Sequence, residues 1–162
     1  SSIYKEIMER LQGRGIQIVV DAEKALLMEV LPLHPFLIKP NNHELEAMLG
    51  RTLSTKEEVL EGAKELQALG ARNVLVSMAG DGAVLLTEDG AVYREGVCRG
   101  TVVNSVGAGD SMVAGFLAGY LKTGDYGYAL KLGTASGGAT AFSHGIGSRE
   151  KIMELFTQLN KK

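Results

Sequence analysis

The sequence predicts an α/β fold: a mostly parallel sheet with helices on both faces and one antiparallel hairpin. Short β-branched runs, IQIVVD at 16–21, FLIK at 36–39 and NVLVS at 73–77, are interleaved with segments of helical apolar spacing, the pattern of buried strands linked by crossover helices. GDG at 80–82 and EDG at 88–90 flank AVLL, and AVYR follows the second turn, which reads as a hairpin whose turn requires glycine. Beyond residue 100 the chain is mostly helical and rich in small residues.

The elements follow in order. Ile3, Ile7, Met8 and Leu11 fall at helical spacing over 2–12, and Gly13 and Gly15 end that helix. IQIVVD is a strand ending at Asp21, and FLIK is a second, stopped by Pro40. NNHELEAMLG forms a short helix closed by Gly50. Ser54 and Glu57 have capping-box spacing, and Val59, Leu60, Ala63, Leu66 and Leu69 give the next helix one apolar face before Gly70. NVLVS and the hairpin come next, followed by helices at 111–121, 125–142 and 148–159. There is no repeat and no linker, so residues 1–162 are expected to form one domain.

Composition excludes several functions. Seventeen Lys and Arg stand against nineteen Asp and Glu without basic clustering, so a nucleic acid is not the expected partner. No apolar run approaches the roughly 20 residues needed to cross a bilayer, so no membrane role is expected. The N-terminal SSIYKEIMER is amphipathic rather than a signal peptide; a cytoplasmic location is expected. The lone Cys98 can form no internal disulfide and has no base near it in sequence, and His34, His43 and His144 lack metal-ligand spacing. The 21 glycines, nearly twice the usual share of about 7%, serve backbone geometry. Those between 115 and 138 (Gly115, Gly119, Gly124, Gly127, Gly133, Gly137 and Gly138) fit close helix packing, as does the cluster Tyr120, Tyr126 and Tyr128.

The most informative stretch is VVNSVGAGDSMVAGFLAGYL at 102–121. Gly107, Ala108 and Gly109 would let successive amides point into one cavity, with a helix N-terminus behind them. That is an anion hole. Asp110 beside it would repel an anion, unless it orients an attacking hydroxyl and takes its proton, as in phosphoryl transfer. On the residues alone, GAGD is equally a tight turn with an N-capping Asp. A P-loop, a dinucleotide fingerprint and a GxSxG elbow are all absent.

NSVGAGDSMVAGF resembles the C-terminal signature of the ribokinase-like (PfkB) family of sugar kinases, and IKPNNHELE upstream resembles that family's N-x-x-E segment, with SMAGDGA between them in matching order. The resemblance covers essentially the whole chain but only about the C-terminal half of a family member. The chain also starts at Ser1 without an initiator Met, as a fragment would. The resemblance implies a three-layer αβα, Rossmann-like sheet carrying the nucleotide half of the site. Much of the phosphosugar surface, and the small β-lid that often makes a homodimer of the full-length enzyme, would lie in the other half.

Carried over by residue, Asp110 resembles the catalytic base, and Gly107, Ala108 and Gly109 the anion hole. Asn41 and Glu44 match the pair that places Mg2+ and its waters, a role suited to a hard cation that keeps its water shell. Lys39 would meet a nucleotide phosphate. ATP would lie across loops at 77–82, 104–110 and 136–147, meeting Ser77, Gly80, Gly82, Ser105, Val106 and Ser136, with AFSHGIG at 141–147 near the adenine. Ala79 stands where many members have Gly, and Asn104 where ribokinases commonly have an Asp that helps hold a monovalent cation. The implied reaction is ATP-dependent phosphorylation of a ketose phosphate, fructose 1-phosphate to fructose 1,6-bisphosphate. The alternatives are tagatose 6-phosphate as acceptor, or a nucleotide-binding module inactive without its other half.

Overall fold

A computed structural model describes residues 2–161. The chain divides into two compact units, residues 1–77 with 84–92 and residues 78–83 with 93–162.

The first unit is built from α1 (Ile3–Leu11), β1 (Val19–Val20), α2 (Lys24–Val30), β2 (Leu37–Ile38), α3 (Asn42–Leu49), α4 (Lys56–Ala68), β3 (Asn73–Ser77) and most of β4 (Ala83–Leu86). With β5 (Val92–Glu95), the strands run β1-β2-β3-β4-β5 across one sheet. Val19 pairs with Leu37 and Leu37 with Asn73, both in parallel register. This bears out the α/β expectation. Strands β2, β3 and β4 are buried along nearly their whole length, so they read in sequence as continuous apolar runs rather than as alternation.

Three local expectations need correction. IQIVVD contributes only Val19 and Val20 to the sheet, and Ile16 is 53% exposed, because β1 pairs with β2 over two residues only. The capping box lies one residue later than the Ser54 and Glu57 reading: Thr55 accepts from the Glu58 amide, and the Glu58 carboxylate accepts from the amides of both Ser54 and Thr55. Both registers have the right spacing, and the carboxylate that gathers two amides wins. Leu69 is half exposed, since it is the C-cap of α4 rather than part of its buried face. Helix α2 had no sequence signal. Its N-cap Glu23 makes no side-chain capping bond, and the helix is only seven residues long.

The second unit holds α5 (Ala108–Thr123), α6 (Tyr126–Ala141) and α7 (Arg149–Leu159). Glycine lets α5 and α6 approach closely. A Cβ on Gly119 would stand 2.9 Å from Ala129 Cα, one on Gly133 2.8 Å from the Met112 carbonyl, and one on Gly115 would overlap the Ser136 side chain. Gly124 does not belong to this set: its surroundings are open, and it ends α5 in a left-handed conformation with φ 69°. Asp125 then caps α6 by accepting from the Tyr128 amide at 2.6 Å. Tyr120 stacks on Tyr126 with ring centres 4.9 Å apart, so these rings pack helices. Cys98 is buried with Ala135, Ala139, Leu155 and Leu159. Among the described residues no helix is long and apolar enough to cross a membrane.

Candidate functional site

In the first unit, the carboxyl ends of three parallel strands bring together Asp21, Lys39, Asn41 and Ser77. The carboxyl edge of a parallel sheet is where α/β proteins bind ligands. Lys39 is only 7% exposed, and its ammonium lies 3.4 Å from the Asp21 carboxylate. Lys39 is therefore no exposed strand end: its buried ammonium is paired with the Asp21 carboxylate. Asp21 marked a strand end in the sequence, and only the pairing of β1 with β2 gives it this second role. The Ser77 amide donates to the Pro40 carbonyl at 3.2 Å, and Asn41 and Ser77 form an isolated parallel bridge.

Asn41 is the N-cap of α3. Its Oδ1 accepts from the Glu44 amide at 2.8 Å, while Glu44 Oε2 accepts from the Asn41 amide at 2.7 Å. The N-x-x-E pair is thus a closed capping box, with Glu44 Oε1 left over. Among the described residues no three His, Cys, Asp or Glu side chains cluster to hold a metal directly. One carboxylate oxygen and one amide oxygen suit a cation that keeps most of its waters, which is how Mg2+ binds.

In the second unit, Gly107 is the N-cap of α5, with φ 77° and no side-chain capping bond. This left-handed geometry is what glycine supplies without strain. The Ala108 amide is not free for a ligand, because it donates to the Ser105 carbonyl at 3.1 Å. Among the described residues nothing accepts from the amides of Gly107, Gly109 or Asp110, so the open donors are 107, 109 and 110 rather than 107, 108 and 109. Asp110 occupies the third position of α5 and is exposed, and its carboxylate takes part in no hydrogen bond or ion pair among the described residues. It is not the N-cap that the alternative reading required.

The loop before it is anchored from below. The amides of Val103 and Asn104 donate to the Ala141 carbonyl at 2.8 and 3.1 Å, and Asn104 Oδ1 accepts from the Val106 amide at 3.0 Å. Ser105 is exposed and Val106 is 79% exposed. Gly80 is open on all sides, whereas Gly82, at φ 89°, passes so close to the Glu95 carbonyl that a Cβ would collide with it. Ala79, where many family members have Gly, sits at φ 45°. Ser136 is buried against Gly115, and its hydroxyl donates to the Leu132 carbonyl of its own helix at 2.8 Å. The structure gives Ser136 a packing place, away from solvent.

Residues 1–152 match the profile of the pfkB family carbohydrate kinases. The chain belongs to that family. It is similar to the 1-phosphofructokinase of Bacillus subtilis, 44% identical over 96% of this chain, and to the D-tagatose-1-phosphate kinase of Klebsiella oxytoca, 35% identical over 98%. A Staphylococcus aureus crystal structure assigned as a phosphofructokinase superposes with a TM-score of 0.90 at 38% identity, covering 96% of this chain and 50% of that one. The chain spans about half the length of the curated relatives it matches, 51% and 52% for these two.

Proposed function

We propose that the protein carrying this chain transfers the γ-phosphoryl group of ATP to the primary hydroxyl of a ketohexose phosphate, with fructose 1-phosphate as first substrate. The observation that carries this reading is the start of α5: three unengaged amides at a left-handed glycine N-cap, with an unpaired carboxylate in the same first turn. Asp110 accepts the proton of the attacking hydroxyl. The amides of Gly107, Gly109 and Asp110, with the positive end of the helix, stabilise charge on the group in transfer. Lys39 meets a nucleotide phosphate, and Asn41 and Glu44 hold the waters of Mg2+, which when bound neutralises phosphate charge. The chain is the C-terminal, nucleotide-binding half of a cytoplasmic enzyme that works as a homodimer.

The sugar relative reported above is named for tagatose 1-phosphate, so the alternative to fructose 1-phosphate moves from tagatose 6-phosphate to tagatose 1-phosphate. The two 1-phosphates are epimers and present the same terminal hydroxyl. A nucleotide-binding module without transfer is the second reading. Calorimetric titration of the 162-residue chain with MgATP, followed by a coupled kinase assay of the full-length protein on both 1-phosphates, separates the readings. Saturable 1:1 binding and turnover on fructose 1-phosphate are expected. Binding without turnover would leave the module, and no binding at millimolar MgATP would remove both.

A further inference from the structure

We propose that Thr140 is a positioning residue for the reaction: its hydroxyl ties the first turn of α5 to the loop at 142–147 and so sets the direction of the open amides and of Asp110. The inference rests on the phosphoryl-transfer reading above, and all the residues it uses lie in the second unit.

Thr140 is 2% exposed, in the last turn of α6. A buried hydroxyl is costly unless bonded, and a helical threonine ordinarily donates to the carbonyl four residues back. Thr123, Ser136 and Thr157 do so here. Thr140 does not. Its Oγ1 donates to Ser111 Oγ, 29 residues away, at 2.8 Å, and accepts from the Gly147 amide at 3.0 Å. Both capacities of the hydroxyl are used, each on a different segment. The Thr140 methyl lies 4.0 Å from where a Cβ on Gly107 would stand, so the same side chain also floors the left-handed N-cap.

The neighbouring backbone repeats the arrangement. The Ala141 carbonyl collects the amides of Val103 and Asn104, and the Ser111 amide donates to the Gly107 carbonyl at 2.9 Å. The end of α6 therefore fixes the loop on both sides of Gly107. Valine in place of Thr140 would keep the methyl floor and the volume while removing both hydroxyl bonds. Serine would keep the hydroxyl and lose the methyl.

The test uses Thr140→Val and Thr140→Ser. In the 162-residue chain, amide hydrogen exchange at Gly147 is expected to accelerate at least tenfold in Thr140→Val and to stay within about threefold in Thr140→Ser. In the full-length enzyme, Thr140→Val is expected to lower kcat about tenfold with the sugar-phosphate KM within twofold, and Thr140→Ser to retain at least half of kcat. Unchanged Gly147 exchange and kcat in Thr140→Val would overturn the proposal, and so would a Thr140→Ser variant as impaired as Thr140→Val. Should Thr140→Val fail to fold, Ser111→Ala removes the acceptor alone and is expected to lower kcat severalfold; unchanged turnover there overturns the proposal equally. The exchange readout needs no catalysis, so an inactive wild type would remove the transfer reading without touching the positioning result.

Discussion

The starts of α4 and α5 carry the same residue type in the same place and use it oppositely. Each has an acid at its third position, Glu58 three residues after the N-cap Thr55 and Asp110 three residues after the N-cap Gly107. Glu58 folds back onto the amides of Ser54 and Thr55 at 2.7 and 2.9 Å and closes the helix end. Asp110 is one methylene shorter, stands three residues after a glycine in the left-handed region, and leaves its carboxylate and the amides of Gly107, Gly109 and Asp110 unengaged. A helix end with free amides is an anion site, and one that satisfies itself is structural. Helix α3 stands between the two: Glu44 closes its capping box with one oxygen and leaves the other.

The largest expected effect is at the open end. Asp110→Asn in the full-length protein is expected to lower kcat by about a thousandfold or more while the nucleotide dissociation constant moves by less than about threefold, because only the proton acceptor is lost. Steady-state kinetics with calorimetric MgATP binding decide this, and near-normal turnover would remove Asp110 from its role. Next comes the intermediate end. Glu44→Gln is expected to cost about tenfold to a hundredfold in apparent Mg2+ affinity, the usual range when a group orienting metal-bound water is lost. A magnesium titration of initial rate reads it, and an unshifted midpoint would reduce Glu44 to a cap.

At the closed end the effects should fall on stability alone. Thr55→Ala is expected to destabilise by about 1 kcal/mol, as for other N-caps, in urea unfolding, and to leave MgATP binding unchanged. The amides of Ser54, then Thr55, hold the Glu58 carboxyl below its ordinary 4.5, against a smaller opposing effect of desolvation. A carboxylate depressed in the folded state contributes stability above its unfolded value and loses it as pH falls through the folded one. The unfolding midpoint should therefore drop below pH about 4.5 in the wild type and drop less in Glu58→Gln. Equal acid limbs in the two proteins would show that the box contributes nothing. The smallest effect is a gain: Ala79 holds φ 45°, so Ala79→Gly is expected to stabilise by about 0.5–1 kcal/mol through release of left-handed strain, offset in part by glycine's freedom in the unfolded chain.

Much of this was legible beforehand. NVLVS matches β3 residue for residue, and Gly50 closes α3 in the left-handed conformation. Such features depend on neighbours within a few residues, so a sequence pattern carries them. The short extent of strand β1 and the uncapped helix α2 were not legible, because each is set by packing rather than by a local signal. The same holds in the site. GAGD pointed to the loop, but the inward turn of the Ala108 amide depends on the Ser105 carbonyl, and the partner of Lys39 on strand pairing.

The sequence by itself determined the family motifs, the order of the elements other than α2, and most of the glycines where a side chain could not fit, since these are matters of residue type and spacing. Tertiary structure alone decided which of three chemically similar helix starts stays open. It also decided that Lys39 is buried beside Asp21 and that the Thr140 hydroxyl reaches Ser111 instead of its own helix. Hydrogen-bonding groups take whichever partner the packed chain brings within about 3 Å, and that partner can lie 29 residues away.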